Sequence, residues 1–111
     1  MPERQYVFIE SRDPFDSADS RFVPETATAL RARGRAVTVY LVQNGVLASR
    51  AGARGSELPK LIQTGVTVLA DDFSLRERGI ETGELTAGVR ETPIDSLVDL
   101  IMRPATKVMW H

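Results

Sequence analysis

Residues 66–80 read VTVLADDFSLRERGI, and this stretch decides the fold. The run Val66–Ala70 is short, apolar and rich in β-branched residues, which predicts a buried strand. Asp71 and Asp72 then end the run abruptly. In an open parallel sheet, ligands and chemistry collect at the turn outside the carboxyl end of a strand. A functional site, if the chain has one, is therefore expected at this turn.

The residues after the turn predict one or two turns of helix. Ser74 with Glu77 three residues later has the spacing of a capping box, and Gly79 stands where a helix would stop. The polar side chains in or beside the turn define the candidate site, and they are Asp71, Asp72, Ser74, Arg76 and Arg78.

Short apolar strands alternate with helices along the whole chain. Strands are predicted at Tyr6–Ile9, Val37–Val42, Val66–Ala70, Thr86–Arg90 and Lys107–Trp110. Helices are predicted at Glu25–Arg33, Val46–Arg50, Glu57–Thr64, a short one after Asp72, and one starting at Thr92–Asp95. The alternation predicts a single α/β domain over residues 1–111, a three-layer α/β/α sandwich on a mainly parallel five-stranded sheet that is flavodoxin-like in outline. The strand order does not follow from the sequence.

The last predicted helix has a wide apolar stripe. Its apolar residues recur at helical spacing on one face, and they are Ile94, Leu97, Val98, Ile101 and Met102. Trp110, in the last strand, is interpreted as a core residue or a subunit contact.

Composition limits the classes of function. The chain has 111 residues, 42% of them hydrophobic and 26% charged, which is typical of a soluble domain with one core. Its formal net charge of −1 argues against a nucleic-acid partner. No apolar run approaches the ~20 residues that span a bilayer, so no membrane partner is expected. The opening MPERQYVFIE lacks the apolar centre of a signal peptide, and a cytoplasmic location is expected.

The chain contains no cysteine, and its single histidine is His111, the last residue of the sequence. Disulfides, thiolate metal sites and a cysteine nucleophile or persulfide carrier are thereby excluded. A Ser-His-Asp triad would have to use His111, and one subunit cannot supply a multi-histidine metal site. We therefore predict no cofactor and no metal ion, and favour a protein that is not an enzyme.

The Asp71–Asp72 pair has three interpretations. It has the residue types of a Mg²⁺ site or of the phosphoacceptor of a response-regulator receiver. A receiver also needs acids after the first strand, which Glu10 and Asp13 could supply, and a lysine at the carboxyl end of the last strand. Lys107 instead opens that strand. The simplest interpretation is that the two acids accept hydrogen bonds from turn amides at the start of the short helix.

The arginines after the turn indicate a second kind of site. Arg76 and Arg78 have the chemistry to bind an anion, with Arg12 reaching in from the neighbouring strand end. They could equally be solvated or paired with nearby acids. A small-anion or metal-binding module would use Asp71, Asp72, Ser74, Arg76, Arg78, Arg12 and Asp13.

Several segments, in their order and spacing, resemble the DsrE/DsrF-like family of YchN-like and TusBCD-related sulfur-relay proteins. They are Pro14–Ser17 after the opening strand, TVYLVQNGV, LRERGI, Gly88–Val89, SLVDLI and Lys107–Val108. The resemblance covers nearly the whole chain. It implies an α/β sandwich that assembles into trimers, hexamers or hetero-oligomers of related subunits.

The resemblance also marks where the chain departs from the family. Active members carry a cysteine just after the third strand, which takes up sulfur as a persulfide. Counted back from Arg78 and Gly79, the family cysteine positions fall on Asp71 and Ser74. Neither a carboxylate nor a hydroxyl can hold a sulfane sulfur. We therefore expect an oligomer-forming or accessory subunit in a sulfur-relay context rather than a persulfide carrier.

Overall fold

Five segments of the chain form the strands of one sheet, and all but the short fourth one are rich in apolar residues. The computed structural model describes residues 4–15 and 18–111, so Asp16 and Ser17 of the family-like loop lie outside the described residues. The strands are β1 (Gln5–Glu10), β2 (Ala36–Leu41), β3 (Thr67–Asp71), β4 (Arg90–Thr92) and β5 (Thr106–Trp110). They lie in the order β4-β3-β2-β1-β5, and every neighbouring pair is parallel. The predicted fold class is confirmed.

The helices connect these strands. They are α1 (Phe22–Ala32), α2 (Leu58–Gln63), α3 (Asp72–Glu77) and α4 (Ile94–Ile101), with 3₁₀ segments at Gln43–Ser49 and Thr82–Glu84. Helix α1 starts earlier than predicted because Pro24 falls in its first turn, where a missing N–H costs no hydrogen bond. Within the described part of the chain, no helix is long and apolar enough to cross a bilayer.

The sheet has two differently covered faces. Side chains of α1 and α2, among them Ala27 and Leu61, pack against the strand residues of the larger core. The smaller core on the opposite face contains Leu97 of α4. Tyr40 is fully buried there, and its hydroxyl donates to the Pro93 carbonyl oxygen at 3.0 Å, which ties β2 to the start of α4.

The path of the chain brings two distant segments together at one edge. From β1 the chain steps outward through β2 and β3 to β4, and α4 then returns it to β5, on the other side of β1. The strand order therefore breaks between β1 and β5. Because all strands are parallel, the carboxyl ends of β1, β3 and β5 lie at the same edge of the sheet.

Two predicted boundaries are wrong for local reasons. The weak strand predicted at Thr86–Arg90 is observed at Arg90–Thr92. Residues 86–89 form a turn instead, in which the Val89 N–H donates to the Thr86 carbonyl oxygen and Gly88 has a φ of +97°. The residue before α4 is Pro93 rather than Thr92, and it makes no side-chain capping bond.

Candidate functional site

Two clusters of polar side chains lie at the carboxyl edge of the sheet. The first follows β3, and we call it the β3 turn cluster; it comprises Gln43, Asn44, Asp71, Ser74 and Arg78. The second lies where β1 and β5 end, and we call it the β1–β5 cluster; it comprises Glu10, Arg12, Asp19 and His111. The sequence predicted Asp71, Ser74 and Arg78 of the first cluster, and only Arg12 of the second.

Asp71 is the centre of the β3 turn cluster. Its Oδ2 accepts hydrogen bonds from the Ser74 N–H at 3.0 Å and from the Ser74 hydroxyl at 2.6 Å. The hydroxyl oxygen in turn accepts from the Gln43 N–H at 2.8 Å. Asp71 and Ser74 are both buried. The two positions that match the family cysteines are thus occupied by side chains that bind one another.

The predicted capping box at Ser74 and Glu77 is wrong. Strand β3 runs one residue further than expected, through Asp71, and α3 begins at Asp72. The capping residue of α3 is therefore Asp71, whose carboxylate accepts from the N–H of Ser74. An aspartate in this position satisfies one of the free N–H groups at the start of a helix. Of the interpretations of the Asp71–Asp72 pair, the simplest one, an acid that accepts a hydrogen bond from a turn amide, is confirmed for Asp71.

The two predicted anion-binding arginines of this region differ in their surroundings. Arg78 donates through Nε and Nη2 to the Asn44 side-chain oxygen, at 3.1 and 3.0 Å, and through Nη1 to the Ser74 carbonyl oxygen at 3.2 Å. Arg76 forms a surface ion pair with Asp72, which precedes it by four residues. Its Nη1 lies 3.7 Å from Asp72 Oδ2. Arg78 is therefore held at the cluster, whereas Arg76 points along the surface of the short helix.

A cavity of about 480 Å³ lies beside the β3 turn cluster. Three of the predicted site residues line it, namely Asp71, Ser74 and Arg78. Its aromatic walls are Phe73 and Trp110, which are 59% and 69% exposed. The Oδ1 atom of Asp71 is buried and has no hydrogen-bond partner among the described residues.

The remaining predicted site residues lie elsewhere. Arg12 belongs to the β1–β5 cluster, where its Nη1 donates to Asp19 Oδ1 at 3.1 Å. Asp13 accepts a hydrogen bond from the Phe15 N–H at 3.1 Å, within its own loop. The seven predicted residues are thus divided between the two clusters and the surface.

His111 is the centre of the β1–β5 cluster. Its Nδ1 lies 2.7 Å from Glu10 Oε2, and its Nε2 lies 2.9 Å from Asp19 Oδ2. Backbone hydrogen bonds to Ile9 and Ser11 hold it in register with β1. Its ring centroid is 5.4 Å from that of Phe22, and the residue is 8% exposed. The histidine is therefore a fixed part of the sheet edge.

The protonation of His111 follows from these contacts. Carboxylate oxygens only accept hydrogen bonds, so the ring satisfies both neighbours only when both nitrogens carry protons. Burial by itself lowers the pKa of His111, but the hydrogen bonds to Asp19 and Glu10 and the charges of these acids raise it more. The pKa consequently lies above its ordinary value of 6.5.

The β1–β5 cluster opens into a crevice of about 340 Å³. Its polar lining includes Arg12 and His111, and its apolar lining includes Val23, Leu41 and Leu58. Among residues 4–15 and 18–111, no group of three or more His, Asp or Glu side chains is arranged to hold a metal ion. The crevice offers cationic donors beside an apolar wall.

Sequence reasoning missed this second cluster because its members are far apart in the chain. Glu10 and His111 are separated by 101 positions and meet only because β5 lies beside β1. The available signal was that each residue stands at the carboxyl end of a strand. That signal becomes informative only once the strand order is known.

Comparisons with known proteins give the class of fold. No model of a protein family matches the chain, and no curated protein matches its sequence. Solved structures do match it. The YchN protein of E. coli superposes with a TM-score of 0.83 at 20% identity, covering 97% of this chain and 99% of its own.

Two further solved structures have the same architecture. A protein of unknown function from Methanobacterium thermoautotrophicum gives a TM-score of 0.72 at 17% identity, covering 99% of this chain and 100% of its own. A conserved protein of unknown function from Bacteroides thetaiotaomicron gives a TM-score of 0.77 at 14% identity, covering 96% of this chain and 94% of its own. The chain therefore has the YchN-like fold, which is a DsrE/DsrF-like fold.

Proposed function

We propose that this protein is a cysteine-free member of the DsrE/DsrF-like family that serves as an oligomer-forming or accessory subunit in a sulfur relay, without carrying a persulfide itself. The observation that carries the proposal is the set of large apolar side chains that α4 and β5 leave exposed. The fold shared with YchN supports the family assignment.

The apolar surface arises from the uneven cover of the sheet. Parallel sheets are normally buried on both faces, and here α1 and α2 cover one face while α4 packs on the other. Val108 and Trp110 of β5 are in register with Val7 and Ile9, which places them on the α4 face. Trp110 is exposed and is therefore not a core residue.

Helix α4 contributes the larger part of this surface. Leu97 is buried against the sheet, whereas Ile94, Val98 and Met102 are 48%, 49% and 76% exposed. The apolar stripe of α4 is thus wider than the sheet can cover. Extended exposed apolar patches mark sites of association. A second copy of the chain or a related subunit would bury this stripe together with Trp110.

The β3 turn cluster supports the second half of the proposal. A persulfide carrier needs a thiolate at one of the family positions, and here Asp71 and Ser74 are joined by a 2.6 Å hydrogen bond. The pair caps α3 and accepts from the Gln43 N–H, so it stabilises the turn. A structural role accounts for both residues.

The mass of the protein in solution tests assembly. For a chain of 12.2 kDa, light scattering after size exclusion is expected to give a trimer or a hexamer at micromolar concentration. The double variant Val98→Asp/Met102→Asp is expected to be monomeric, because two carboxylates in an apolar interface each lose their hydration.

A matched variant controls for the added charge. Thr28→Asp/Ala32→Asp places two carboxylates at the same four-residue spacing on exposed positions of α1, on the opposite face of the sheet. It should keep the wild-type mass. A monomeric wild-type protein, or equal dissociation of both double variants, would contradict the proposal.

Persulfide chemistry tests the other half. The wild-type chain is expected to gain no sulfur from a persulfide donor, whereas Asp71→Cys and Ser74→Cys restore a thiol at the family positions. Uptake by either variant, measured as an added mass of one sulfur atom, would show that the site lacks only its reactive atom. A covalently sulfurated wild-type chain would refute the proposal.

A second candidate function is a small-anion or metal-binding module at the β3 turn. It is favoured by one observation, the presence of Arg78 beside Asp71 and Ser74 in the lining of the 480 Å³ cavity. Sulfate, thiosulfate, phosphate or Mg²⁺ would then raise the melting temperature by mass action. Arg78→Ala should abolish the anion shifts and Asp71→Asn the Mg²⁺ shift, whereas Arg76→Ala should preserve both. Unchanged shifts in all variants would exclude this candidate.

A further inference from the structure

The β1–β5 cluster contains a carboxylate held between two cationic side chains. Asp19 places Oδ1 at 3.1 Å from Arg12 Nη1 and Oδ2 at 2.9 Å from His111 Nε2. Each oxygen thus faces a different donor. A guanidinium and an imidazolium arranged in this way form a two-point receptor for a carboxylate.

The receptor lies where the fold favours ligand binding. The strand order breaks between β1 and β5, and ligands of open α/β sheets usually bind outside the carboxyl ends of the strands at such a break. Glu10 holds the other nitrogen of His111 and so fixes the orientation of the ring. The contact between Glu10 and His111 therefore holds the imidazole of the receptor in place before a ligand binds.

The crevice beside the receptor is suited to an apolar group. Its volume of about 340 Å³ exceeds that of a six-membered ring, and Val23, Leu41 and Leu58 form part of its wall. Gly45 lies at its floor, where a Cβ atom would collide with the Glu10 carbonyl oxygen. A ligand with one carboxylate and a small apolar body matches this combination of charge and lining.

The ion pair that Asp19 forms with Arg12 lies at the surface. Its side chain is 56% exposed, and that of Arg12 is 54% exposed. Exposed ion pairs contribute little because water and salt screen them. An incoming carboxylate can therefore compete with Asp19 for the Arg12 guanidinium, and the apolar contacts in the crevice would add to its affinity.

We propose that the crevice at the carboxyl ends of β1 and β5 is a binding site for a small apolar carboxylate held by Arg12 and doubly protonated His111, and that Asp19 occupies the carboxylate position as an internal competitor. The other charged groups facing the site are Glu10, Arg21 and Glu57. Among these, Glu10 is engaged by His111 and Arg21 by Glu25.

Binding of such a ligand depends on pH through His111. The two carboxylates beside it raise its pKa, so the ring keeps both protons at and below its ordinary value of 6.5. As the pH rises through the raised pKa, the His111 ring loses one of its two protons and becomes neutral. The affinity of the site for a carboxylate then falls. A purely apolar ligand would not show this dependence.

Benzoate is the probe, and the imidazole resonances of the single histidine are the reporter. At a pH of about 5.5, where the ring is protonated, benzoate is expected to shift the His111 signals saturably. Asp19→Asn removes the internal competitor and should tighten binding about fivefold. Adding Arg12→Gln to that variant should weaken binding about tenfold.

Two controls separate this site from a general charge effect. Asp13→Asn removes an acid from the same loop that does not contact His111, and it should leave the benzoate affinity unchanged. Benzamide has the same ring without the charge and should not shift the His111 signals. Equal affinities of Asp19→Asn and Asp13→Asn for benzoate, or equal binding of benzamide, would overturn the proposal.

Discussion

The β3 turn cluster and the β1–β5 cluster lie at the same edge of one sheet and differ in how their carboxylates are satisfied. Asp71 is buried and bonded to Ser74, which is itself bonded to the backbone of Gln43. Asp19 is more than half exposed, and its carboxylate contacts the side chains of Arg12 and His111. The centre of the first cluster is a buried hydrogen-bond network, and the second cluster is an ion-pair network open to solvent on one side.

This difference decides which carboxylate stabilises the fold and which can be displaced by a ligand. Breaking a buried hydrogen bond leaves a polar group without water or protein to bind, which is costly. Breaking an exposed ion pair returns both charges to water, which costs little. A buried network such as that of Asp71 is suited to holding a turn. An exposed carboxylate such as that of Asp19 can leave its position when a ligand arrives.

The largest effect is expected from Asp71→Ala. It removes the cap of α3 and leaves the Ser74 N–H and hydroxyl without their acceptor, so the free energy of unfolding should fall by about 2–4 kcal/mol. Urea denaturation at fixed protein concentration measures it. Asp72→Ala is the matched control, since that acid forms an ion pair with the exposed Arg76 at the protein surface, and it should cost less than about 1 kcal/mol. Equal losses would contradict the contrast between the two kinds of acid.

Ser74→Ala tests the same network from its other member. The Gln43 N–H loses its acceptor and Asp71 Oδ2 loses one donor, so unfolding should be easier by about 1–2 kcal/mol. The Gln43 amide should also exchange its hydrogen faster. The double variant with Asp71→Ala should cost clearly less than the sum of the single losses, because both changes break one network. Additive losses would show that the two residues act separately.

The β1–β5 cluster predicts a pH dependence of stability. The pKa of His111 is raised in the folded state, so its contribution is fully present below the unfolded value of about 6.5 and is lost as the pH rises through the folded value. The loss should not exceed about 1 kcal/mol, because one of the two acids is exposed. Urea midpoints measured across this range should fall with pH in the wild type and stay flat in His111→Gln. The same slope in both proteins would refute the role of His111.

The smallest effect is expected from Asp19→Asn. It replaces an exposed carboxylate by an uncharged amide of the same shape, so the free energy of unfolding should change by less than about 0.5 kcal/mol. The pKa of His111 should nevertheless fall, because Asp19 is one of the two acids that raise it. Titration of the His111 resonances by NMR measures this. The control variant Asp13→Asn should leave the pKa of His111 unchanged. If Asp19→Asn lost as much stability as Asp71→Ala, the distinction between the two clusters would be wrong.

Much of the fold was predictable because local patterns are short-range. The run before Asp71 and the apolar stripe of Ile94–Ile101 are read from neighbouring residues, and both form the predicted elements. The capping residue of α3 was mispredicted because β3 extends to Asp71 by pairing with Thr92 of β4, which the local sequence does not indicate. Of the predicted site, Asp71, Ser74 and Arg78 meet because they are close in the chain.

The sequence by itself determined the alternation of strands and helices, the absence of a thiol and the polar turn after β3, because each depends on residue types and short spacings. The tertiary structure alone decided that β5 lies beside β1 and that His111 therefore meets Glu10 and Asp19. That placement depends on which arrangement of helices buries both faces of the sheet. Such burial is a property of the whole chain, and no local pattern encodes it.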